Sequence, residues 1–444
     1  MRIGVVGAGI SGLATAFWLQ RHRPDWHLTV WESAPNAGGT LHTEIVDGFH
    51  FEAGCNGFLT NKPATLELVH ASGAEHLLLE SSASARKRFL YNGGLHRLPE
   101  SPPAFLASKL LSPLAKLRVA AEILIPARRD GVDETLQAFG YRRLGRAFTD
   151  TFLNAMTAGI YGSTPEKLSV AAAFPLVAAL EREHGGLFRG MLAKRRGDAG
   201  PGGVLTSFHS GVSTFIEHLQ RSVRADWRLA TPVSAIERAG AGFLVCDANG
   251  RTELDQIVVC TPAHAATRLL APLDASLSAL LGRIEYSPIA VVGLGYHALS
   301  HPLDGFGVLS TSGSKLPVLG ILWDSSVFPD RAPAGAKILR VMIGGQREPA
   351  SVQLDDKALV ELARAGIRQA MGVDATPDVR FVKRWERGIP NYGPGHLERV
   401  AAIDAAVAAL PGLHLNNNAY HGVAMNDCCA QSAQLAQRIT AAYS

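Results

Sequence analysis

The N-terminal residues alternate between apolar runs and a short glycine-rich segment. The run 2–6 predicts a strand, 7–12 a turn, 13–22 a helix, and 27–31 a second strand that is followed by Glu32. Strand, turn, helix and strand in this order form the pattern of a βαβ unit. We therefore predict a parallel sheet covered by helices at the start of the chain.

Hydrophobic periodicity farther along the chain predicts elements that leave this first unit and return to it. Alternating or apolar runs predict strands at 227–238, 242–247, 256–260, 289–296 and 337–343. Helical periodicity interrupted by prolines covers 101–192, and an unbroken helical pattern covers 354–371. At 444 residues the chain exceeds the size of a single core, so we expect two domains.

The glycine segment has the spacing G-x-G-x-x-G, which binds the pyrophosphate of a dinucleotide when it joins a strand to a helix. Gly7 permits a tight turn, Gly9 leaves room for the phosphates, and Gly12 lets the helix pack closely on the strand. The helix start offers N–H groups to the phosphates, and Glu32 can accept hydrogen bonds from the adenosine ribose. The predicted cofactor-binding residues here are Gly7, Ala8, Gly9, Ile10, Ser11, Gly12 and Glu32. The pattern alone fits NAD and FAD equally.

Composition narrows the class of protein. Hydrophobic residues make up 47% of the chain and charged residues 18%, which is typical of an ordered globular protein. The five cysteines lack the C-x-x-C spacing of zinc or redox sites, so we expect no metal and a reducing compartment. No apolar run reaches the roughly 20 residues of a membrane span, and no signal-peptide cleavage site follows the first strand. We expect a cytoplasmic protein.

Basic residues are concentrated in one part of the chain. The net charge is only +4, but residues 86–146 carry twelve Lys or Arg against five acidic residues. Such a segment could face an anionic substrate, an anionic membrane or only solvent. No helix-turn-helix, zinc or RNA-binding motif accompanies it, so we do not expect nucleic acid as a partner.

A second glycine pair favours FAD over NAD. Gly38-Gly39-Thr40 follows Glu32 and resembles the second pyrophosphate-binding loop of FAD-dependent oxidoreductases of the amine oxidase superfamily. The segment 48–54 follows with the spacing that this superfamily uses to reach the flavin. The segment 293–298 also fits a loose dinucleotide fingerprint, but Pro302 follows it where a helix would have to begin. We therefore predict a strand at 293–298 and no second nucleotide site.

Five longer segments resemble the oxygen-using, FAD-dependent protoporphyrinogen oxidases. They span residues 88–99, 305–309, 318–325, 389–396 and 420–428. The resemblance extends over nearly the whole chain, and it implies an α/β fold with a Rossmann-like FAD-binding domain that is discontinuous in sequence. It further implies an inserted substrate domain of a mixed sheet plus helices, and a mostly helical membrane-facing part. The expected boundaries are 1–85, 201–270 and 385–444 for the FAD-binding domain, 86–200 for the helical part, and 271–384 for the substrate-domain sheet and helix.

The same resemblance implies which residues bind the cofactor and the substrate. For FAD it adds Gly38, Gly39, Thr40, Gly54, Cys55, Asn56, Gly57, Val233, Asn418, Val423, Ala424 and Met425. For a tetrapyrrole it implies a propionate-binding Arg88, the apolar walls Phe306 and Leu309, and Met156 and Gly159 on a facing helix. Two positions depart from the family, since Cys55-Asn56 replaces the usual pair beside the flavin and Ala158 stands where an arginine is frequent.

The segment 102–126 mixes leucines with Lys109, Lys116 and Arg118, which predicts an amphipathic pair of surface helices. In the resembling family this region associates with the membrane. The resemblance therefore implies peripheral association with an anionic membrane, and packing against the substrate domain is an equal alternative.

The implied activity is the oxidation of protoporphyrinogen IX to protoporphyrin IX in haem biosynthesis. Hydride passes from a substrate carbon to FAD, and molecular oxygen accepts the electrons and yields hydrogen peroxide, so no catalytic side chain is expected. Coproporphyrinogen III is the nearest alternative, although its four propionates would require more cations than Arg88. An amine oxidase, a carotenoid-type desaturase and a non-enzymatic flavin scaffold are further alternatives, and a homodimer is left open.

Overall fold

The computed structural model of the protein describes residues 1–195 and 203–443. Strands and helices are numbered separately in chain order. The strands are β1 Arg2–Val6, β2 His27–Trp31, β3 Thr43–Val46, β4 Phe49–Glu52, β5 Phe58–Leu59, β6 Leu78–Glu80, β7 Arg88–Tyr91, β8 Leu95–Arg97, β9 Leu205–Phe208, β10 Asp226–Arg228, β11 Val233–Ala239, β12 Gly242–Asp247, β13 Gly250–Leu254, β14 Gln256–Val259, β15 Tyr286–Tyr296, β16 Gly307–Ser310, β17 Gly320–Leu322, β18 Lys337–Gly344, β19 Val379–Pro390 and β20 Leu413–Leu415. The α-helices are α1 Ile10–His22, α2 Ala64–Ser72, α3 Pro102–Ala107, α4 Pro113–Ala120, α5 Leu136–Arg143, α6 Arg146–Phe148, α7 Asn154–Tyr161, α8 Val170–Ala173, α9 Pro175–His184, α10 Leu187–Arg195, α11 Val212–Ser222, α12 Ala263–Leu270, α13 Ala275–Gly282, α14 Asp324–Val327, α15 Asp356–Met371, α16 His396–Ala408 and α17 Met425–Ala441.

A five-stranded parallel sheet has the order β10-β2-β1-β14-β20. The apolar residues of β1, β2 and β14 are almost completely buried, because α1, α11 and α17 pack on one face while α12, α13 and α16 pack on the other. The predicted βαβ unit is confirmed. Its sheet is completed by strands from two later parts of the chain, which brings three separated segments into one layer.

A seven-stranded mixed sheet has the order β19-β15-β18-β17-β16-β7-β8. Its neighbours are antiparallel except for the parallel pair β7 and β16. The helix α15 covers one face, and β4 and α7 lie against the other. Within β15, a Cβ atom on Gly293 or Gly295 would lie 2.3 or 2.9 Å from the rings of Phe51 and Phe49. The segment 293–298 therefore begins as a strand, as predicted, and its glycines make room for phenylalanine rings.

Helices α3–α10 form a helical part, in which α7 contacts the mixed sheet and α8 contacts α16. The predicted helix pair in 102–126 is confirmed as α3 and α4. Arg143 and Glu122 form a fully buried ion pair in this part, and Glu122 also accepts a hydrogen bond from the N–H of Leu187 at 2.8 Å. No helix among residues 1–195 and 203–443 is long and apolar enough to cross a bilayer.

The two ends of the described chain meet at the parallel sheet. The helix α17 packs along α1, and the side-chain amide of Asn416 donates to Thr15 Oγ1 at 2.9 Å and to Ser432 Oγ at 2.8 Å. The protein thus has a mixed α/β fold. The boundaries given for its parts stay a prediction, and the one between residues 200 and 201 lies outside the described residues.

Candidate active site

The glycine segment forms a tight turn between β1 and α1. Gly7 has a φ of +101°, and a Cβ atom on Gly12 would lie 1.9 Å from the carbonyl oxygen of Gly7, so the helix touches the turn directly. A Cβ atom on Gly9 would meet only the carbonyl oxygen of Gly38, at 3.9 Å. The first N–H groups of α1, which starts at Ile10, have no acceptor within the helix. This turn is closely packed on one side and open on the other.

The second glycine pair lies beside the first. Gly9 and Gly38 form a parallel bridge, and the N–H of Gly38 donates to the carbonyl oxygen of Ala8 at 2.9 Å. Glu32 stands just beyond β2, where its carboxylate accepts the N–H of Ala8 at 2.9 Å. The hydroxyl of Ser33 and the N–H of Ala34 also donate to this carboxylate, at 3.1 and 2.9 Å, which leaves one of its roughly four acceptor sites for a ribose. The two glycine loops and the acidic residue therefore lie together at the carboxyl edge of the sheet.

The loop that follows β4 lies against Thr40. A Cβ atom on Gly54 would lie 2.3 Å from the carbonyl oxygen of Thr40. Cys55 is exposed, and its thiol donates to the carbonyl oxygen of Gly57 at 2.9 Å. The side-chain nitrogen of Asn56 is buried and has no hydrogen-bond partner in the part of the chain that the structure describes. A buried donor without a partner is costly, so this nitrogen suits an acceptor from outside the chain.

The C-terminal segment reaches the same region through the start of α17. Gly422 donates its N–H to the phenol oxygen of Tyr392 at 2.8 Å, and that phenol donates to the carbonyl oxygen of Asn418 at 2.6 Å. The N–H of Ala424 is used by the carboxylate of Asp427 at 3.3 Å. Of the three backbone donors predicted here, Ala424 is therefore engaged within the chain. The N–H groups of Val423 and Met425 remain for a ligand, since neither has an acceptor among the described residues.

Polar groups that suit FAD lie between β1 and α17. Gly9 has one open side, the first N–H groups of α1 are free, and Asn56 has an unpartnered donor, so together they form a polar cradle that suits a dinucleotide. Val233 lies at the start of β11, at a bulge in the register with β12. The predicted cofactor residues thus fit FAD.

The predicted substrate residues come together at one end of the mixed sheet. Gly307 pairs with Arg88 and Leu309 pairs with Leu90 in the parallel pair of β7 and β16. The guanidinium carbon of Arg88 lies 5.3 Å from the ring centre of Phe306. The guanidinium has no ion-pair partner in the described chain.

The helix α7 faces this strand pair. A Cβ atom on Gly159 would lie 3.1 Å from both δ carbons of Leu309, so α7 and β16 approach closely at this point. Met156 also lies on α7 and packs partly against the apolar cluster of the helical part. The substrate roles of Met156 and Gly159 stay predictions.

Two residues of the mixed sheet, the buried Arg340 and the partly buried Trp385, hold the loop after β4 and were not predicted. Arg340 donates to the carbonyl oxygen of Gly54 at 2.6 Å and pairs with Asp324 at 2.8 Å. The indole N–H of Trp385 donates to the carbonyl oxygen of Ala53 at 2.8 Å. An arginine inside the apolar run of β18 was the signal that could have indicated this role.

Comparison with known proteins identifies the family. The family model of flavin containing amine oxidoreductases matches residues 10–440. The chain belongs to this family. A flavin amine oxidoreductase of this kind is an FAD-dependent oxidoreductase, in agreement with the cradle between β1 and α17.

Named relatives of this flavin amine oxidoreductase act on porphyrinogens. The chain is 27% identical to the coproporphyrinogen III oxidase of Bacillus subtilis (strain 168), over 96% of this chain and 95% of that protein. It is 30% identical to the protoporphyrinogen oxidase of Bos taurus, over 98% of this chain and 97% of that protein. A crystal structure of an Exiguobacterium sp. 255-15 protein assigned as a protoporphyrinogen oxidase superposes with a TM-score of 0.87, at 26% identity, and covers 99% of this chain and 98% of that one.

Proposed function

We propose that this flavoenzyme oxidises a porphyrinogen to a porphyrin, with protoporphyrinogen IX as its substrate. The observation that carries the proposal is the group formed by Arg88, Phe306, Leu309 and Gly159, in which an unpaired guanidinium lies beside apolar residues; we call this group the substrate wall. A porphyrinogen is broad and largely apolar and bears propionate carboxylates, so it matches both properties of this wall. The names of the relatives support the same substrate class.

Each residue of the substrate wall has a distinct task in this proposal. Arg88 binds a propionate through two parallel hydrogen bonds and so fixes the orientation of the ring system. Leu309 and Phe306 provide apolar walls, while Gly159 keeps α7 close enough to exclude water. Conversion of a porphyrinogen to a porphyrin removes six electrons, so bound FAD would accept a hydride in each of three rounds. Molecular oxygen is the proposed final acceptor, with three O2 consumed and three hydrogen peroxide formed per porphyrin.

The experiment is anaerobic mixing of the holoenzyme with protoporphyrinogen IX, coproporphyrinogen III or putrescine, with flavin absorbance as the readout. We expect bleaching by protoporphyrinogen IX and none by the amine. Absence of bleaching by both porphyrinogens would contradict the proposal. Faster bleaching by coproporphyrinogen III would identify that compound as the substrate instead.

The role of Arg88 has a matched control two residues away. We expect Arg88→Ala to raise KM for the porphyrinogen about tenfold or more, because a charge-assisted pair is lost, with the bound flavin spectrum unchanged. Arg86→Ala removes the same charge from an exposed neighbour and should leave KM near the wild-type value. Equal KM values for the two variants would show that Arg88 contributes only net charge.

We further propose that α3 and α4 bind the surface of an anionic membrane. Leu114 is 80% exposed and Leu117 is 67% exposed on α4, and Leu106 on α3 is 66% exposed. Lys116 and Arg118 instead donate to backbone carbonyl oxygens, so only Lys109 of the three predicted cations is exposed there. Apolar contact should therefore contribute more to membrane binding than charge does.

Sedimentation with vesicles of phosphatidylglycerol and phosphatidylcholine tests this second proposal. We expect the double variant Leu114→Ser, Leu117→Ser to stay in the supernatant while the wild type sediments. Leu397→Ser, on the exposed side of α16, is the control and should sediment as the wild type does. If the wild type stays in the supernatant, α3 and α4 do not bind this surface. The cytoplasmic location and a homodimer stay predictions.

A further inference from the structure

Arg347 is a half-buried cation with only neutral partners. Its guanidinium donates to the carbonyl oxygen of Ser310 at 3.1 Å and to the hydroxyl of the same residue at 2.6 Å. It also donates to the carbonyl oxygen of Asn154 at 3.0 Å and to the side-chain oxygen of that residue. No carboxylate pairs with it within residues 1–195 and 203–443, and its Nε atom is buried without an acceptor.

Burial of this unpaired cation lowers the stability of the folded state. Burial lowers the pKa of the Arg347 guanidinium to about 10, and the negative charge of Glu166 opposes this only in part. A buried charge is usually kept with a carboxylate partner, because its desolvation is otherwise uncompensated. The position of Arg347 must therefore be explained by what its hydrogen bonds connect.

The hydrogen bonds of Arg347 connect α7 and β16, the two elements that carry Gly159 and Leu309 of the proposed substrate wall. Ser310 is the last residue of β16 and follows Leu309, whereas Asn154 is the first residue of α7, five positions before Gly159. Ser310 is 1% exposed and Asn154 is 6% exposed, so both acceptors are fixed in the core. One planar guanidinium with several donors can satisfy acceptors on both elements at once, which an ammonium group cannot do with the same geometry.

The residues just before Arg347 hold the other end of the same helix. The N–H of Gln346 donates to the carbonyl oxygen of Gly162 at 2.7 Å, directly after α7. Gly345 has a φ of +65°, and a Cβ atom there would lie 2.4 Å from the same carbonyl oxygen. The segment 344–347, which we name the clamp loop, therefore contacts α7 at both ends while it joins the mixed sheet.

We infer that Arg347 is a positioning residue: through the clamp loop it holds α7 against β16 and thereby fixes the substrate wall on which the porphyrinogen packs. The inference rests on the proposed function, since the position of this wall matters only if a porphyrinogen binds there. Arg347 itself does not touch the reacting atoms. Its loss should change substrate affinity more than turnover, because the FAD cradle lies on other elements.

The test compares three variants of the holoenzyme with porphyrinogen as the probe. Arg347→Met keeps the length of the side chain but loses all donors, and we expect KM to rise about tenfold while kcat changes less than about twofold. Arg347→Lys keeps the charge without the fork and should resemble Arg347→Met. Arg118→Met is the matched control, because Arg118 also donates only to carbonyl oxygens, but those belong to the last turn of α5 and not to α7 or β16.

The outcomes separate this inference from the proposed function. If the wild type is not bleached by either porphyrinogen, the proposed function fails. If a porphyrinogen bleaches the wild type but Arg347→Met keeps the wild-type KM, the positioning role of Arg347 is contradicted. It is also contradicted if Arg347→Lys has the wild-type KM, because the charge alone would then be sufficient. Should Arg347→Met not fold, Asn154→Ala removes one acceptor alone, and it must still raise KM with the flavin spectrum unchanged for the inference to stand.

Discussion

Replacing Gly9 with alanine adds one methyl group on the open side of the glycine turn. Gly9 has a φ of −70° and a ψ of −179°, an extended conformation that alanine adopts without strain. The nearest atom that the methyl carbon would meet is the carbonyl oxygen of Gly38 at 3.9 Å, which is ordinary contact. The apoprotein should therefore change in stability by no more than about 1 kcal/mol.

Binding of FAD should change far more. The methyl group would stand where phosphate oxygens must approach the N–H groups of α1, so at least one charge-assisted hydrogen bond is lost, worth about 1.5–3 kcal/mol. Because about 1.4 kcal/mol corresponds to a factor of ten, the Kd for FAD should rise roughly ten- to a hundredfold.

Quenching of FAD fluorescence on titration with apoprotein measures this affinity, and the melting temperature of the apoprotein measures stability. Gly12→Ala is the contrasting variant, because its methyl group would lie 1.9 Å from the carbonyl oxygen of Gly7 and should lower both stability and affinity. Gly313→Ala, with nothing within 4 Å, should change neither quantity. A wild-type Kd for Gly9→Ala would refute the view that phosphates cross this turn.

Two further predictions concern buried charge. Arg143→Met leaves the carboxylate of Glu122 buried without its cation. Urea unfolding should show that the free energy of unfolding falls by about 3–5 kcal/mol, and that most of this loss is recovered in the double variant Arg143→Met, Glu122→Met. An equal loss in the single and double variants would contradict the pairing. Burial lowers the pKa of His414 from 6.5 to about 4, so the folded state binds fewer protons than the unfolded state between these pH values, and stability present above pH 6.5 is lost as the pH falls towards 4. Between pH 7.5 and pH 5 the wild type should lose about 2 kcal/mol more than His414→Gln in urea unfolding, and equal losses would show that this histidine does not contribute.

The cofactor turn could be predicted from the sequence because each of its constraints is local. Gly7 and Gly12 act within one turn, and the acidic Glu32 follows the next strand. The strand at Gly293 could also be predicted, since Pro302 excluded a helix, although the sequence does not reveal that Phe51 occupies the space of its missing side chain.

The proposed substrate wall could not be derived from periodicity. Arg88 meets Phe306 only because β7 pairs with β16, and no local pattern records a pairing between strands so distant in sequence; the resemblance to a family provided these residues. Arg347 was missed for the same reason, since its acceptors in α7 and β16 lie 193 and 37 residues away. Long-range hydrogen bonds from one side chain leave no periodic trace.

The packing of α17 on α1 has a consequence for the order in which this enzyme is made. A ribosome completes α1 early and α17 late, and Asn416 meets Thr15 across 401 positions of the chain. Until the late helix emerges, the glycine turn lacks the partner that closes the far end of the cradle, so a nascent chain can retain FAD only weakly. Cofactor loading should therefore be a late step in biogenesis, and pulse-labelled chains that stop before residue 425 should not bind flavin.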